Sequence, residues 1–461
     1  MLLQEFLLLL GKVRDVFSQE RVFVRVCRQA LGSLCALGSR TIARVLAATG
    51  RDQSDWSTEY RVFSRSPWKQ RELFFPVLEE ALRFCPGKGF IPLAGDFTHL
   101  QKSGKQIAGV HCMRDPLSPA FHTNLIYGLR FFQVTLLCPF QKQTPPLPAR
   151  SVPVRFDASP VISKPGKRAS ELEWAQYRQS VKARPSSKAA RQAIEELRED
   201  FDRAGATSRN LLLLMDGSFC NQVFFAQAME RVELVCRCRK DAVLCVRTQQ
   251  EGANRFYAKE TFTPQSVRED ENMECKEGTF FHGGSFHTIR YKELKNVYWR
   301  KGAGRRPLRL IVIAPTGYRL HHKGKLLYRQ PAYLLTTDLE TAVEELIAAY
   351  LERWQIEVNH REEKSTLGVG DAQVRNEHSV PRQPAFVVAV YALLLLAALR
   401  AYGPERTGDY LPPPKWGRPS KRPSCLDIVA LLRQQIEAYP EKLKAFETTT
   451  SALNLVLKAA A

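Results

Sequence analysis

One short segment in the second half of the chain carries four potentially reactive side chains at helical spacing: Tyr350, Arg353, Glu357 and Lys364. Neither proline nor glycine interrupts residues 339–367, so this stretch is predicted to form one continuous helix. At 3.6 residues per turn, the four side chains would lie on one face. The carboxylate can hold a divalent cation, and the cations beside it can bind phosphates. This combination indicates cleavage or joining of a nucleic-acid backbone.

Two further carboxylates follow apolar runs that are predicted to be buried strands. Asp96 comes after residues 90–94, and Asp216 lies between the run at 210–215 and a predicted helix at 221–230. Functional sites of open α/β sheets gather at the carboxyl ends of strands, although an isolated aspartate there is commonly a turn residue. Three carboxylates that converge from distant parts of a chain can hold two Mg²⁺ (or Mn²⁺) ions for phosphoryl transfer.

The spacing Tyr-x2-Arg-x3-Glu-x6-Lys resembles the YREK motif of DDE transposases from insertion sequences, whose catalytic core is ribonuclease H-like. All four residues match, whereas the charge pattern alone would describe a salt-bridged surface helix. Residues 57–68 and the Asp-Gly pair at 216–217 resemble the same enzymes. The resemblance implies that the catalytic residues and metal ligands are Asp96, Asp216 and Glu357, and that the contacts to DNA phosphates are Tyr350, Arg353 and Lys364.

Two other regions are candidates for DNA contact. Residues 1–88 are predicted to be helical, and two helices around Gly50 resemble a helix-turn-helix, although simple packing of two helices is an equal alternative. The candidate arginines for binding DNA ends are Arg40, Arg44, Arg61 and Arg65. The family resemblance also implies a tryptophan that stacks on a flipped base. Trp299 is the candidate, with a place in a local core as the alternative.

The chain of 461 residues has a net charge of +21, from 68 Lys and Arg against 47 Asp and Glu. Such a basic surface attracts polyanions, most commonly nucleic acid. Eleven cysteines without a Cys-x-x-Cys pair indicate reduced thiols in a cytosol. The N-terminus lacks the features of a secretory signal, and the apolar run at 385–399 is too short to span a bilayer. We therefore predict a cytoplasmic, nucleoid-associated prokaryotic protein with no membrane partner and no small-molecule cofactor.

The predicted fold class is α/β, a ribonuclease H-like mixed sheet flanked by helices. The predicted domains are a helical, end-DNA-binding N-terminal domain at 1–88; the first part of the core at 89–246, with a basic helical insertion at 141–206; a β-rich insertion at 247–331; the catalytic helix and the end of the core at 332–402; and a basic, proline-rich strap with a C-terminal helix at 403–461.

These features together predict a DNA transposase that binds the terminal repeats of a mobile element, hydrolyses the phosphodiester at its ends and joins the 3′ ends to target DNA. Its partners would be double-stranded DNA and a second copy of the chain in a dimeric synaptic complex. Two alternatives remain open. One is a transposon-derived DNA-binding regulator that no longer cuts, and the other is a structure-selective nuclease on the same fold.

Overall fold

A computed structural model describes residues 1–85, 87–115, 118–119, 121–138, 149–248, 255–321, 324–413 and 420–446. The predicted proline-rich link at 144–148 and the middle of the predicted strap, 414–419, lie outside these residues.

The N-terminal part of the chain is helical, and further helices flank a sheet. The helices are α1 (Leu2–Gly11), α2 (Glu20–Cys35), α3 (Ile42–Ala48), α4 (Ser57–Ser64), α5 (Gln70–Leu82), α6 (Glu171–Lys182), α7 (Pro185–Arg203), α8 (Gln222–Phe225), α9 (Pro264–Glu269), α10 (Val343–Glu352), α11 (Gln355–Ser365), α12 (Ser379–Tyr402) and α13 (Cys425–Ala438), with 3₁₀ turns at Arg14–Val16 and Pro440–Phe446.

The strands are β1 (Ile91–Gln101), β2 (His111–Arg114), β3 (Leu125–Cys138), β4 (Arg150–Ala158), β5 (Leu211–Met215), β6 (Val232–Arg237), β7 (Lys276–His282), β8 (Ser285–Val297), β9 (Leu308–Ile313), β10 (Gly317–Tyr318), β11 (Leu327–Tyr328) and β12 (Ala332–Thr336). Within the described residues, ten strands form one mixed sheet in the order β2-β3-β1-β5-β6-β12-β9-β8-β7, with β4 paired to β3. The predicted fold class, a mixed sheet flanked by helices, is confirmed and is consistent with a ribonuclease H-like fold.

The central strand β5 explains how both faces of the sheet are covered. All five of its residues are buried, and it runs parallel to β1 and β6. Successive side chains of a strand point to opposite faces. Leu212 and Leu214 accordingly share one core cluster with Leu346 and Ile347 of α10. The alternate residues face the second cluster, to which α1, α5 and α12 contribute.

Helix α12 is long and apolar enough to cross a membrane by length and composition. Its most apolar window is 83% buried inside the fold, where it packs on α1, α5 and β4. These contacts agree with the prediction of a buried core helix around 385–399, although the helix extends beyond that run at both ends.

The predicted continuous helix over 339–367 is wrong. The chain forms α10 and α11 instead, and the first turn after β12 is held by Asp338, whose carboxylate accepts hydrogen bonds from the N–H groups of Glu340 and Thr341. At the junction, the N–H groups of Arg353, Ile356 and Glu357 bond to the carbonyl three residues earlier, so the α-helical hydrogen-bond pattern is interrupted.

Several other element boundaries differ from the prediction. Strand β1 does not end at Asp96 but continues to Gln101, because β3 pairs with it along that length. The predicted helix at 221–230 is reduced to α8. Strand β4 lies inside the segment predicted as a basic helical insertion (141–206) and pairs with β3. Strands β7, β8 and β9 of the β-rich segment extend the same sheet beyond β12.

Candidate active site

Two parallel strands bring Asp96 and Asp216 to the same level of the sheet. The parallel pairing of β1 with β5 ends at Gly95 opposite Met215, so each aspartate is the next residue along its chain. Because neighbouring strands are about 4.8 Å apart, the two aspartates are neighbours. The Asp96 carboxylate also accepts a hydrogen bond of 2.7 Å from the N–H of Phe97.

Asp216 begins a tight turn after β5. Its Oδ1 accepts hydrogen bonds from the N–H (2.9 Å) and the hydroxyl (2.7 Å) of Ser218. The residue therefore has the turn-forming role that an Asp-Gly pair suggests. The same turn fixes the carboxylate at the carboxyl end of the central strand.

Helix α11, which carries Glu357, is held over the same face of the sheet. Gln133 lies directly opposite Asp96 in the antiparallel β1–β3 pair, so both side chains point to one face. The Gln133 amide donates a 2.8 Å hydrogen bond to Glu363 of α11, and Asn359 donates one of 2.8 Å to a carbonyl of β4. These contacts fix the helix above the sheet, with Glu357 less than two turns before Glu363.

Arg353 lies between two of the predicted metal ligands. Its Nη1 is 3.8 Å from Asp96 Oδ2 and 4.0 Å from Glu357 Oε1. That nitrogen is buried and has no hydrogen-bond partner within the part of the chain that the structure describes. Both distances are too long for hydrogen bonds. The guanidinium therefore interacts with the carboxylates through charge alone.

The carboxylates also act on one another. Burial, as the largest cause, and the charges of Asp216 and Glu357 together raise the pKa of Asp96 to about 7. The Phe97 N–H and the Arg353 guanidinium act in the opposite direction. Mutual repulsion of this kind requires the negative groups to be close together.

The two remaining residues of the motif flank this cluster. Burial raises the pKa of the Tyr350 phenol to about 12, so its hydroxyl stays protonated and can donate a hydrogen bond at neutral pH. Burial lowers the pKa of Lys364, while the charges of Glu363, Glu357 and Asp96 act against that change. The Lys364 ammonium thus lies within electrostatic reach of the carboxylate cluster.

Three residues near the site were not predicted from the sequence. Arg130 of β3 stacks its guanidinium on Phe97 at 3.7 Å, and the charges of both aspartates act on it. His99 and His360 line a cavity of about 750 Å³ that Glu357 and Lys364 also line. Burial lowers the pKa of His99 to about 4 and that of His360 to about 3, so both rings are neutral. Of the three, only His360 could have been identified from the sequence, because it follows Glu357 by about one helical turn and so lies on the same face of the helix.

The other candidate DNA contacts lie elsewhere. The Arg40 N–H donates to Asp371 at 2.7 Å, and its guanidinium donates to two backbone carbonyls, so this residue joins the N-terminal helices to the core. Arg44 is exposed on α3. Trp299 is half-buried, with its ring edge-on to Phe225 at 5.9 Å. Arg61 and Arg65 line a groove between α2 and α4.

The donor chemistry of the site fits a hard divalent cation. Three carboxylates supply oxygen ligands of the kind that Mg²⁺ and Mn²⁺ prefer, and the buried nitrogen of Arg353 provides positive charge beside two of them. In the described ranges, however, no three Asp, Glu, His or Cys side chains are already grouped as a metal-binding cluster. Binding of an ion would therefore require Arg353 or the carboxylates to move.

A sequence model of the family described as DDE superfamily endonuclease matches residues 18–306, which is more than half of the chain. The chain belongs to this family. The matched range contains Asp96 and Asp216 and ends before the helix that carries Glu357. Membership supports nuclease activity of the transposase type on DNA, in a family that generally uses divalent metal ions. No curated protein matches the chain.

Proposed function

We propose that this protein is a DNA transposase of the YREK group. It binds the terminal repeats of a mobile element, hydrolyses the phosphodiester at each end and joins the 3′ ends to target DNA. The observation that supports the proposal is geometric: Asp96 and Asp216 follow the paired residues Gly95 and Met215 of β1 and β5, and one nitrogen of Arg353 is 3.8 Å from Asp96 and 4.0 Å from Glu357. Three carboxylates from distant parts of the chain are therefore close enough to interact with one another.

Asp96, Asp216 and Glu357 would hold two Mg²⁺ or Mn²⁺ ions. When bound, such a pair activates the attacking oxygen and stabilises the leaving oxygen in an in-line displacement. Arg353 and Lys364 would bind the phosphates beside the scissile bond.

The Tyr350 hydroxyl would donate a hydrogen bond to a neighbouring phosphate, a role that its protonated state permits. The predicted partners are double-stranded DNA and a second copy of the chain in a synaptic dimer. The helical residues 1–88 would bind the DNA ends, and Trp299 is a candidate for base stacking.

The test is a supercoiled donor plasmid that carries both ends of the element, incubated with Mg²⁺ and target DNA. We expect the wild type to cut at the ends and join them to the target. Glu357→Gln should lower cleavage by at least about 10-fold to 100-fold while DNA binding persists, because loss of a direct ligand should cost no less than loss of an outer-shell partner. Glu377→Gln is the matched control, since Glu377 is 79% exposed beyond the catalytic helix.

The alternatives give different results in the same experiment. A regulator would bind the ends and leave them intact in Mg²⁺ and in Mn²⁺. A structure-selective nuclease would cut branched DNA without regard to terminal sequence and would join nothing. Equal loss of cleavage in both variants would contradict the assignment of Glu357.

A further inference from the structure

A buried ion pair joins α2 to α4 in the N-terminal part of the chain. The Arg28 guanidinium donates to Glu59 at 2.7 Å, and the two side chains are only 4% and 2% exposed. Gln29 donates a second hydrogen bond to Glu59 at 3.2 Å. Because separating a buried pair leaves uncompensated charge, these contacts hold the two helices in one relative position.

The fixed pairing of the helices creates an arginine groove. We give this name to the surface cleft of about 310 Å³ lined by Arg21 and Arg25 from α2 and by Arg61 and Arg65 from α4 and its end. Residues four apart lie on one side of a helix and about 6 Å along its axis. Each helix therefore contributes a row of two guanidinium groups, and the remaining polar lining is hydroxyl and amide.

Nearby acidic groups leave this charge largely uncompensated. Within the described residues, no carboxylate forms an ion pair with any of the four arginines. Glu59 is bound by Arg28, and Glu20 pairs with Arg14 at 2.5 Å. Asp55 is within electrostatic reach of Arg61, but its Oδ1 accepts hydrogen bonds from the N–H and hydroxyl of Ser57. Four like charges in one cleft repel one another, and a polyanion would relieve that repulsion.

We propose that the arginine groove binds backbone phosphates along one strand of double-stranded DNA, independently of base sequence. The choice of DNA as the polyanion rests on the proposed function. In this proposal, α2 and α4 form the surface that contacts DNA. The helix-turn-helix interpretation of the sequence would use α3 and α4 instead. Helix α2 packs on both α3 and α4, whereas Arg40, just before α3, is bonded to the core.

The experiment measures binding alone, with EDTA present so that no cleavage can occur. The probe is a fluorescein-labelled duplex of about 30 base pairs and mixed sequence, titrated by anisotropy over a series of salt concentrations. The test variant is Arg25→Gln/Arg61→Gln. The matched control is Arg178→Gln/Arg239→Gln, which removes the same charge from exposed arginines already paired with Glu171 and Asp241.

Loss of two phosphate contacts should lower the slope of log K against log salt by about 2. At about 0.1 M salt this corresponds to roughly tenfold weaker binding per lost contact. The control should change both quantities much less. Thermal unfolding should show that the test variant is at least as stable as the wild type, because repulsion has been removed.

Equal effects of the two double variants would overturn the inference, since binding would then follow net charge and not the groove. An equal or larger effect on binding to anionic lipid vesicles than to the duplex would overturn the choice of DNA. The result is separable from the proposed function. A wild type that binds through the groove but cuts nothing refutes the transposase, whereas a wild type that cuts normally but binds elsewhere refutes the groove.

Discussion

The raised pKa of Asp96 predicts a specific dependence of stability on pH. Replacing Asp96 by Asn removes the charge that burial, Asp216 and Glu357 disfavour, while the amide oxygen can still accept the Phe97 hydrogen bond. In the absence of metal, we therefore expect Asp96→Asn to be more stable than the wild type at alkaline pH. At acidic pH the difference should be small.

The sign and size follow from proton linkage. The pKa is about 7 in the folded protein and 3.8 in an unperturbed aspartate. Between these values the folded state binds more protons than the unfolded state, so stability falls as pH rises through this window. The penalty reaches about 4 kcal/mol above roughly pH 8, and about 3 kcal/mol of it develops between roughly pH 5 and pH 8.5.

The assay is equilibrium urea unfolding with EDTA, comparing variant and wild type across that pH range. Titrating groups that do not interact with Asp96 change stability too, but their contributions cancel in the difference between the two proteins. Asp241→Asn is the control, because the exposed Asp241 carboxylate is paired with Arg239 and its pKa is lowered. A stability difference that stays constant from pH 5 to pH 8.5 would refute the raised pKa of Asp96.

Three further changes have predictable effects. Glu59→Ala should cost about 3–5 kcal/mol in urea unfolding, because Arg28 loses its buried carboxylate. Gly302→Ala should cost roughly 1–3 kcal/mol in the same assay, since a Cβ there would come within 2.2 Å of the Trp299 ring. Arg353→Gln should bind Mn²⁺ at least about fivefold more tightly by calorimetry without DNA. The Arg353 Nη1 is 3.8 Å from Asp96 and 4.0 Å from Glu357, and a unit charge about 4 Å from a bound cation opposes it by about 1 kcal/mol even in water-like surroundings. The same variant should cleave DNA more slowly.

Each change has a control of the same type. Glu171→Ala should have little effect, because its ion pair with Arg178 is largely exposed on both sides. Gly166→Ala meets no atom within 4 Å and should be tolerated. Arg361→Gln tests whether any exposed arginine of α11 changes Mn²⁺ affinity. Unchanged or weaker Mn²⁺ binding by Arg353→Gln would show that its guanidinium does not compete with the ion.

The sequence predicted the central features of the sheet because their signals are local. The run at 210–215 is uniformly apolar, and β5 is buried along its whole length. The interruption between α10 and α11 could not be predicted, since neither proline nor glycine marks it. The extension of β1 past Asp96 is also nonlocal, because it depends on β3, which lies about thirty residues further along the chain.

Neighbours contributed by other elements were missed for the same reason. Arg130 reaches the aspartates only because β3 pairs with β1, and no spacing within the sequence relates it to them. Arg21 and Arg25 lie in a helix whose contact with α4 depends on the buried pair between Arg28 and Glu59. A pattern of residue types can identify a face of one helix, but it cannot identify the surface that the face meets.

The charges around the candidate site suggest why a basic protein keeps three carboxylates together. Three positive charges lie within electrostatic reach of the three carboxylates, those of Arg130, Arg353 and Lys364. The positive and negative charges at the site therefore nearly cancel. An isolated acidic cluster would repel DNA, whereas a site with nearly no net charge does not. Two bound divalent ions would then make the site strongly positive where the phosphate must lie. On this reasoning, a variant that lacks the flanking cations should bind metal better and DNA worse, so the two affinities are set in opposite directions by the same side chains.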